Sequence, residues 1–208
     1  MNLIEFQKEA WRTCPSLGIT NSANIRTFSD KMPTEENIWS ASSLLNSIHM
    51  TMGMCTEIGE IAVCLKMSKS IDKINLQEEL ADVLWYFVNY ANFYKIDITN
   101  YKFSKELYFV NEYEQYPNLR VYDLMLIHAS DLLDYDKKAL AYNKPRSAND
   151  SFYLLFQAIS DMFCTYALDP EKSMQNVIDK LRVRYPEKFS SEAAINRDLE
   201  KERTELEK

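Results

Sequence analysis

Two pairs of carboxylates interrupt apolar stretches of this sequence. Glu57 and Glu60 lie in TEIGEIAVCLK, and Glu79 and Asp82 lie in EELADVLWYF. Residues three apart share one face of a helix, so each pair would project from one side of its helix. Two such helices packed antiparallel would bring all four carboxylates together, which is costly unless a cation neutralises them. The spacing therefore predicts a divalent-cation site whose oxygen ligands favour Mg²⁺, with Mn²⁺ as the alternative.

Neighbouring positions narrow the interpretation of this pattern. Di-iron bundles use Glu-x-x-His pairs, and Val63 and Trp85 stand where those histidines would be required. Glu78 competes with Glu79 for the second pair, and the matched spacing to Asp82 favours Glu79. A solvent-facing polar stripe would also explain one ExxE pair. Two matched pairs on consecutive apolar helices strengthen the case for a metal site, and on the pattern alone both interpretations stay open.

The composition is that of an acidic, folded chain. Its 208 residues carry a net charge of −7 and include only 3 Gly and 6 Pro, which favours long helices over a turn-rich β fold. An acidic chain is a poor partner for nucleic acid polymers.

The four cysteines form no CxxC pair, which is typical of reduced thiols. With mixed charges at its start and no long apolar run, the chain is expected to be cytoplasmic, without a signal peptide or membrane span.

The elements that must position the carboxylates are helices. Apolar residues recur with a 3.6-residue period, most clearly over residues 75–95, and no stretch alternates as a strand would. The predicted fold class is therefore all-α. Residues 13–35 are expected to form a loop, and the charged terminal helix is expected to have a solvated face. The predicted helices cover residues 3–12, 35–68, 75–95, 96–113, 119–142, 150–166, 169–184 and 190–208.

The acid pairs and both ends of the chain resemble one known family. EIGE, a gap of 18 residues and ELAD followed by VLWYF resemble the ExxE…ExxD signature of the all-α nucleoside triphosphate pyrophosphohydrolases, the MazG-like proteins. FQKEAWRT near the start, and RYPEKF and INRD near the end, are similar to further segments of that family. The resemblance implies a MazG-like helical bundle in a single domain over residues 1–208, with a core of residues 1–100 and 168–200.

Residues from about 105 to 165 depart from this family pattern. They are either an insertion or a degenerate second repeat, as in the larger dimeric-dUTPase-like relatives. SDLLDYDKKAL aligns weakly with TEIGEIAVCLK, which places Asp131 and Asp134 opposite Glu57 and Glu60. The second acid pair has no counterpart, so a second repeat would have lost half of its carboxylates.

What the resemblance implies is hydrolysis of a nucleoside triphosphate between its α and β phosphates, which yields a monophosphate and pyrophosphate. Glu57, Glu60, Glu79 and Asp82 would hold Mg²⁺, and Glu57 or Glu60 would act as the general base. The preferred base and sugar stay open. Because relatives usually form dimers, we expect a homodimer.

Two candidate substrate contacts follow from helical spacing. Asn89 comes seven residues after Asp82 and Lys66 nine after Glu57, which returns each to the face of the acids. Asn89 would contact the sugar or a phosphate, and Lys66 a phosphate. Ordinary surface positions are the competing interpretation for both residues.

Four further candidates lie elsewhere in the chain. Lys180 and Arg184 would bring positive charge to the phosphates, although Arg184 could instead hold the C-terminal turn. His49 and Trp39 are candidates for the base pocket, since an indole stacks on a nucleobase, and a core position competes for both. Two other functions remain: a catalytically inactive helical module that binds nucleotide or protein, and a purely structural bundle.

Overall fold

The computed structural model describes residues 1–15, 41–67, 70–116, 118–142 and 149–208. Across those ranges the chain is all-α, which confirms the predicted fold class. The helices of the described residues are α1 Leu3–Thr13, α2 Ala41–Met67, α3 Lys73–Tyr94, α4 Val110–Gln115, α5 Val121–Tyr142, α6 Asn149–Thr165, α7 Pro170–Arg184, α8 Ser191–Ile195 and α9 Leu199–Leu206.

The helices α2 and α3 form an antiparallel hairpin. Early in α2, His49 meets Tyr86 with their ring centroids 6.0 Å apart, and late in α2 the thiol of Cys64 meets the carbonyl of Asp72. Contacts therefore move backward along α3 as they move forward along α2. This direction places the middle of α2 beside the first half of α3, where the two acid pairs lie.

The second half of the chain packs onto this hairpin. α5 packs on α2, and α6 packs on α5. Phe87 of α3 stacks on Phe152 of α6 at 3.9 Å between ring centroids, so α2, α3, α5 and α6 share one hydrophobic core. α1 and α7 pack on α3 and on each other, and α9 packs on α7.

Side-chain caps determine where the helices near the acid pairs begin. Asn2 and Glu5 form a capping box at the start of α1. Asp72 caps α3, and Asp169 caps α7, whose first residue is Pro170.

The predicted helix over residues 96–113 is wrong. Only Val110–Gln115 is helical in this region. The carboxylate of Asp161 on α6 accepts hydrogen bonds from the backbone N–H groups of Tyr108, at 2.7 Å, and Phe109, at 3.1 Å. Because a buried side chain supplies these acceptors, tertiary contacts replace the helical hydrogen bonds that the local sequence would otherwise form.

The predicted single terminal helix is also wrong, whereas most side chains of this segment are exposed, as expected for a solvated face. The chain forms α8 and then α9, and α9 packs on α7. Glu202 and Leu206 of α9 are buried, and the side-chain amide of Asn176 donates to the carbonyl of Leu206 at 3.0 Å. A few inward-facing residues thus anchor a segment whose composition is mostly charged.

Leu44–Lys66 within α2 is, among the described residues, the one helical segment long and apolar enough to cross a membrane. Length and composition do not distinguish a span from a core helix, and this one packs against α3 and α5. Most of the predicted loop over residues 13–35, and residues 35–40 of the predicted helix 35–68, lie outside the described residues.

Candidate metal centre

A cleft of about 730 Å³ lies where α2, α3 and α7 meet. Carboxylates of α2 and α3 line one part of it, and basic and aromatic side chains from α7 and the following segment line another. Its lining among the described residues comprises Thr13, Pro15, His49, Glu57, Glu60, Glu78, Glu79, Asp82, Trp85, Tyr86, Lys180, Leu181, Arg184, Tyr185, Phe189, Ser191 and Arg197.

Three of the four predicted carboxylates converge in this cleft. Glu57, Glu79 and Asp82, hereafter the carboxylate triad, each offer one oxygen, and these oxygens all lie within 4.8 Å of one another. The antiparallel hairpin produces this meeting, because the middle of α2 faces the first half of α3. Glu60 lies on the same cleft but is exposed at its edge.

The electrostatics of the triad disfavour three negative charges. Burial raises the pKa of Glu57, and the charges of Asp82 and Glu60 raise it further. Burial also raises the pKa of Glu79, followed by the charges of Asp82, Glu60 and Glu57. The carboxyl groups of Glu57 and Glu79 are close enough that a proton on one of them would relieve part of this repulsion. A divalent cation at this point would replace that proton and remove the repulsion.

Lys180 neutralises one side of the cluster. Its ammonium lies 2.6 Å from an oxygen of Asp82 and 3.1 Å from an oxygen of Glu78, and the residue is 2% exposed. Burial alone would lower the pKa of Lys180, but the charges of Asp82 and Glu78 outweigh burial and raise it. Glu78 thus pairs with Lys180 outside the triad, and Asp82 belongs both to the triad and to this ion pair.

Aromatic side chains form the apolar part of the cleft. Tyr86 makes edge contacts with Trp85 and His49, at 5.0 Å and 6.0 Å between ring centroids. A Cβ at Gly53 would overlap the ring of Tyr86, so the glycine makes room for that ring. The indole N–H of Trp85 donates to Thr13 at 3.1 Å, which ties α1 to this wall.

The remaining predicted contacts divide into two groups. His49, Lys180 and Arg184 line the cleft. Lys66 is not among the lining residues and lies over the ring of Tyr122 at 5.3 Å. Asn89 is fully buried, away from the cleft lining, and its amide donates to the carbonyl of Trp85 at 2.9 Å. Trp39 lies outside the described residues.

Sequence reasoning missed the contribution of residues after Pro186. Phe189 and Arg197 line the cleft, and Tyr185 packs on Phe189 with centroids 5.4 Å apart. The only sequence signal was that RYPEKF and INRD resemble a family segment. Helical periodicity gave no reason to place them near the acid pairs.

Comparison with family models, curated proteins and solved structures found no match to this chain. The triad contains carboxylates alone, without His or Cys. Such hard oxygen ligands suit Mg²⁺ or Mn²⁺ rather than zinc or iron.

Proposed function

We propose that the protein is a Mg²⁺-dependent nucleoside triphosphate pyrophosphohydrolase with a MazG-like helical bundle. It would cleave between the α and β phosphates and release a nucleoside monophosphate and pyrophosphate. The observation that carries this proposal is the carboxylate triad, whose oxygens lie within 4.8 Å of one another in a nucleotide-sized cleft. The site of cleavage rests on the sequence resemblance.

The triad has the chemistry that Mg²⁺ requires. Glu57, Glu79 and Asp82 would hold the ion, and Glu60 at the cleft edge would supply a further oxygen. Mn²⁺ suits the same oxygen ligands. Bound there, the ion would neutralise phosphate charge and lower the pKa of a bound water.

The chain's own side chains have distinct roles in this proposal. Glu57 or Glu60 would accept a proton from the attacking water, and Glu60 is the more exposed of the two. Arg184 lines the cleft and would face the phosphates. Lys180 already holds Asp82 and would keep that carboxylate oriented as the negative substrate arrives.

The aromatic part of the cleft is the proposed location of the base. His49 and Tyr86 present ring edges and faces there, which suits a planar heterocycle.

We also propose a cytoplasmic homodimer on the resemblance. Leu45, Met52 and Val63 of α2 are exposed apolar residues that a second copy could cover.

The test is hydrolysis of a panel of ribo- and deoxynucleoside triphosphates with Mg²⁺, with EDTA as the metal-free control, and chromatographic separation of the products. We expect monophosphate and pyrophosphate, lost with EDTA and with Glu60→Gln or Asp82→Asn. Asp134→Asn is the matched control, because Asp134 aligns with Glu60 in sequence but pairs with Lys137 and Lys138 instead.

Other products would change the conclusion in defined ways. Diphosphate and phosphate as products would refute cleavage between the α and β phosphates, but the proposed metal site would still stand. No turnover and no Mg²⁺-dependent thermal shift would favour the inactive binding module. The Lys180–Asp82 ion pair gives that alternative a physical basis, since it already neutralises part of the cluster.

A further inference from the structure

The last 20 residues of the chain contain a buried carboxylate with two arginine partners. Glu202 on α9 is 2% exposed, although most of its neighbours in this segment face solvent. Arg184 donates to it through Nε at 2.8 Å and through Nη2 to its second oxygen. Arg197 donates to the same second oxygen through Nη2 at 2.9 Å.

The balance of charge in this network is positive. Burial raises the pKa of Glu202, but the hydrogen bond and charge of Arg184 and the charges of Arg197 and Lys180 outweigh burial and lower it. Glu202 is therefore a carboxylate with one negative charge between two guanidinium groups. One positive charge remains, and both arginines line the cleft that holds the triad.

Arg197 retains donors for a ligand. Only its Nη2 hydrogen-bonds within the described part of the chain, and its side chain is 42% exposed. Arg184, by contrast, is 14% exposed and makes the two-point contact that holds Glu202. The network thus has a buried half that anchors α9 and an open half at the cleft.

We propose that Arg197 binds the phosphate chain of the ligand, and that Glu202 is the positioning residue that holds Arg197 and Arg184 at the cleft. This inference rests on the proposed function for the identity of the ligand as a nucleoside triphosphate. Guanidinium groups bind phosphate oxygens through two parallel hydrogen bonds, which a triphosphate offers at several points. The residues after Pro186 are then part of the binding site.

A structural role alone would not require this arrangement. Arg203 lies on α9 beside Glu202 and pairs with Asp72 and Glu207, and it is not among the residues that line the cleft. α9 therefore has one arginine that only ties the fold together, and it supplies the carboxylate that holds two others at the cleft. Arg203→Ala is the matched control for Arg197→Ala.

The experiment measures binding of inorganic tripolyphosphate with Mg²⁺ by isothermal titration calorimetry to the full chain. Loss of a charge-assisted phosphate contact is expected to weaken the affinity of Arg197→Ala by about 10- to 100-fold, with Arg197→Lys intermediate. Arg203→Ala is expected to bind like wild type. Glu202→Gln is expected to weaken binding as well. Equal melting temperatures of Arg197→Ala and Arg203→Ala would show that the loss of affinity comes from a lost ligand contact and not from a less stable fold.

Several outcomes would decide against Arg197. Wild-type affinity in Arg197→Ala, or equal losses in Arg197→Ala and Arg203→Ala, would overturn the inference even if nucleotides are hydrolysed. A wild-type chain that binds no tripolyphosphate would overturn it too. Wild-type binding of tripolyphosphate, lost in Arg197→Ala, without turnover of any nucleotide would support Arg197 and refute the proposed reaction.

Discussion

Buried carboxylates occur in both halves of this molecule, but they are held in opposite ways. The buried Glu79 and the half-buried Glu57 in the first half face each other and further acids. Asp136 and Asp161 in the second half are fully buried and are surrounded by hydrogen-bond donors of the protein. The donors available to a buried carboxylate, rather than its burial, therefore indicate whether it requires a ligand.

Asp161 shows how completely the chain can satisfy a carboxylate. One oxygen accepts from the N–H of Tyr108, and the other accepts from the N–H of Phe109 and the hydroxyl of Tyr113, at 3.1 Å each. These bonds fix the segment between α3 and α4. The carboxylate acts as a structural acceptor and leaves no reason for a cation.

Asp136 follows the same principle at the interface of α2 and α5. Its oxygens accept from the hydroxyls of Ser47 at 3.1 Å and Thr51 at 3.0 Å, and from Tyr94. Burial still raises its pKa to about 6, although these hydrogen bonds act in the opposite direction. In the carboxylate triad Glu79 is buried and Glu57 and Asp82 are half-buried, but within the described part of the chain Lys180, at Asp82, is the one comparable donor.

The largest expected effect is on catalysis. Asp82→Asn or Glu79→Gln should reduce Mg²⁺-dependent turnover by about 1,000-fold, equivalent to about 4 kcal/mol of transition-state stabilisation, since each removes a charged metal ligand. Steady-state kinetics over a Mg²⁺ titration measures this effect. Asp134→Asn should keep wild-type turnover. An equal loss in that variant would show that carboxylates of the second half are needed for catalysis as much as those of the first.

A smaller effect, on stability rather than activity, is expected from Asp161→Ala. Three donors would lose their acceptor, which should lower the free energy of unfolding by about 3 kcal/mol. Urea denaturation with EDTA and with Mg²⁺ should give the same loss. A loss that appeared only with Mg²⁺ would indicate that Asp161, too, takes part in metal binding.

Mg²⁺ itself should stabilise the folded protein through the triad. At free Mg²⁺ ten times its dissociation constant, linkage gives about 1.4 kcal/mol. Thermal unfolding should show the shift in wild type and in Asp134→Asn, but not in Asp82→Asn. A shift that survives Asp82→Asn would place the ion elsewhere on the protein.

Local spacing predicted the convergence of the acids because both pairs lie in one hairpin. It does not by itself bring Asn89 and Lys66, the predicted substrate contacts, to the lining of the cleft, for a simple geometric reason. At 1.5 Å per residue, seven residues move a side chain about 10 Å along the helix and nine move it about 13 Å. A shared face is therefore no guarantee of a shared site, and the structure places Asn89 in the core and Lys66 against Tyr122.

Features that depend on distant residues could not be predicted from the sequence. The segment over residues 96–113 has apolar residues that suit a helix, but Asp161, some 50 positions later, binds its backbone. Arg197 and Glu202 lie in a charged stretch without helical amphipathicity. Their place at the cleft depends on how α9 packs on α7, which local pattern does not encode.

The last expected effect is the pH dependence of stability without metal. The folded-state pKa values of Glu57 and Glu79 are raised above the ordinary carboxyl value of about 4.3, so the folded protein binds more protons than the unfolded chain above that pH. In EDTA, stability should therefore fall as pH rises from about 5, since the folded triad must then lose its protons. Saturating Mg²⁺ should abolish this slope, because the ion keeps the folded carboxylates deprotonated over the same pH range.

The same measurement on two variants distinguishes the contributions of the carboxylates in the two halves of the molecule. Glu79→Gln should flatten the EDTA curve and remove the effect of Mg²⁺. Asp136→Asn should remove only the part of the pH dependence of stability that comes from Asp136, which lies below its pKa of about 6. The difference between the EDTA and Mg²⁺ curves should stay intact. If that difference disappeared in Asp136→Asn and persisted in Glu79→Gln, the cation would belong with the hydrogen-bonded carboxylate, and the contrast drawn between the two kinds of buried acid would be reversed.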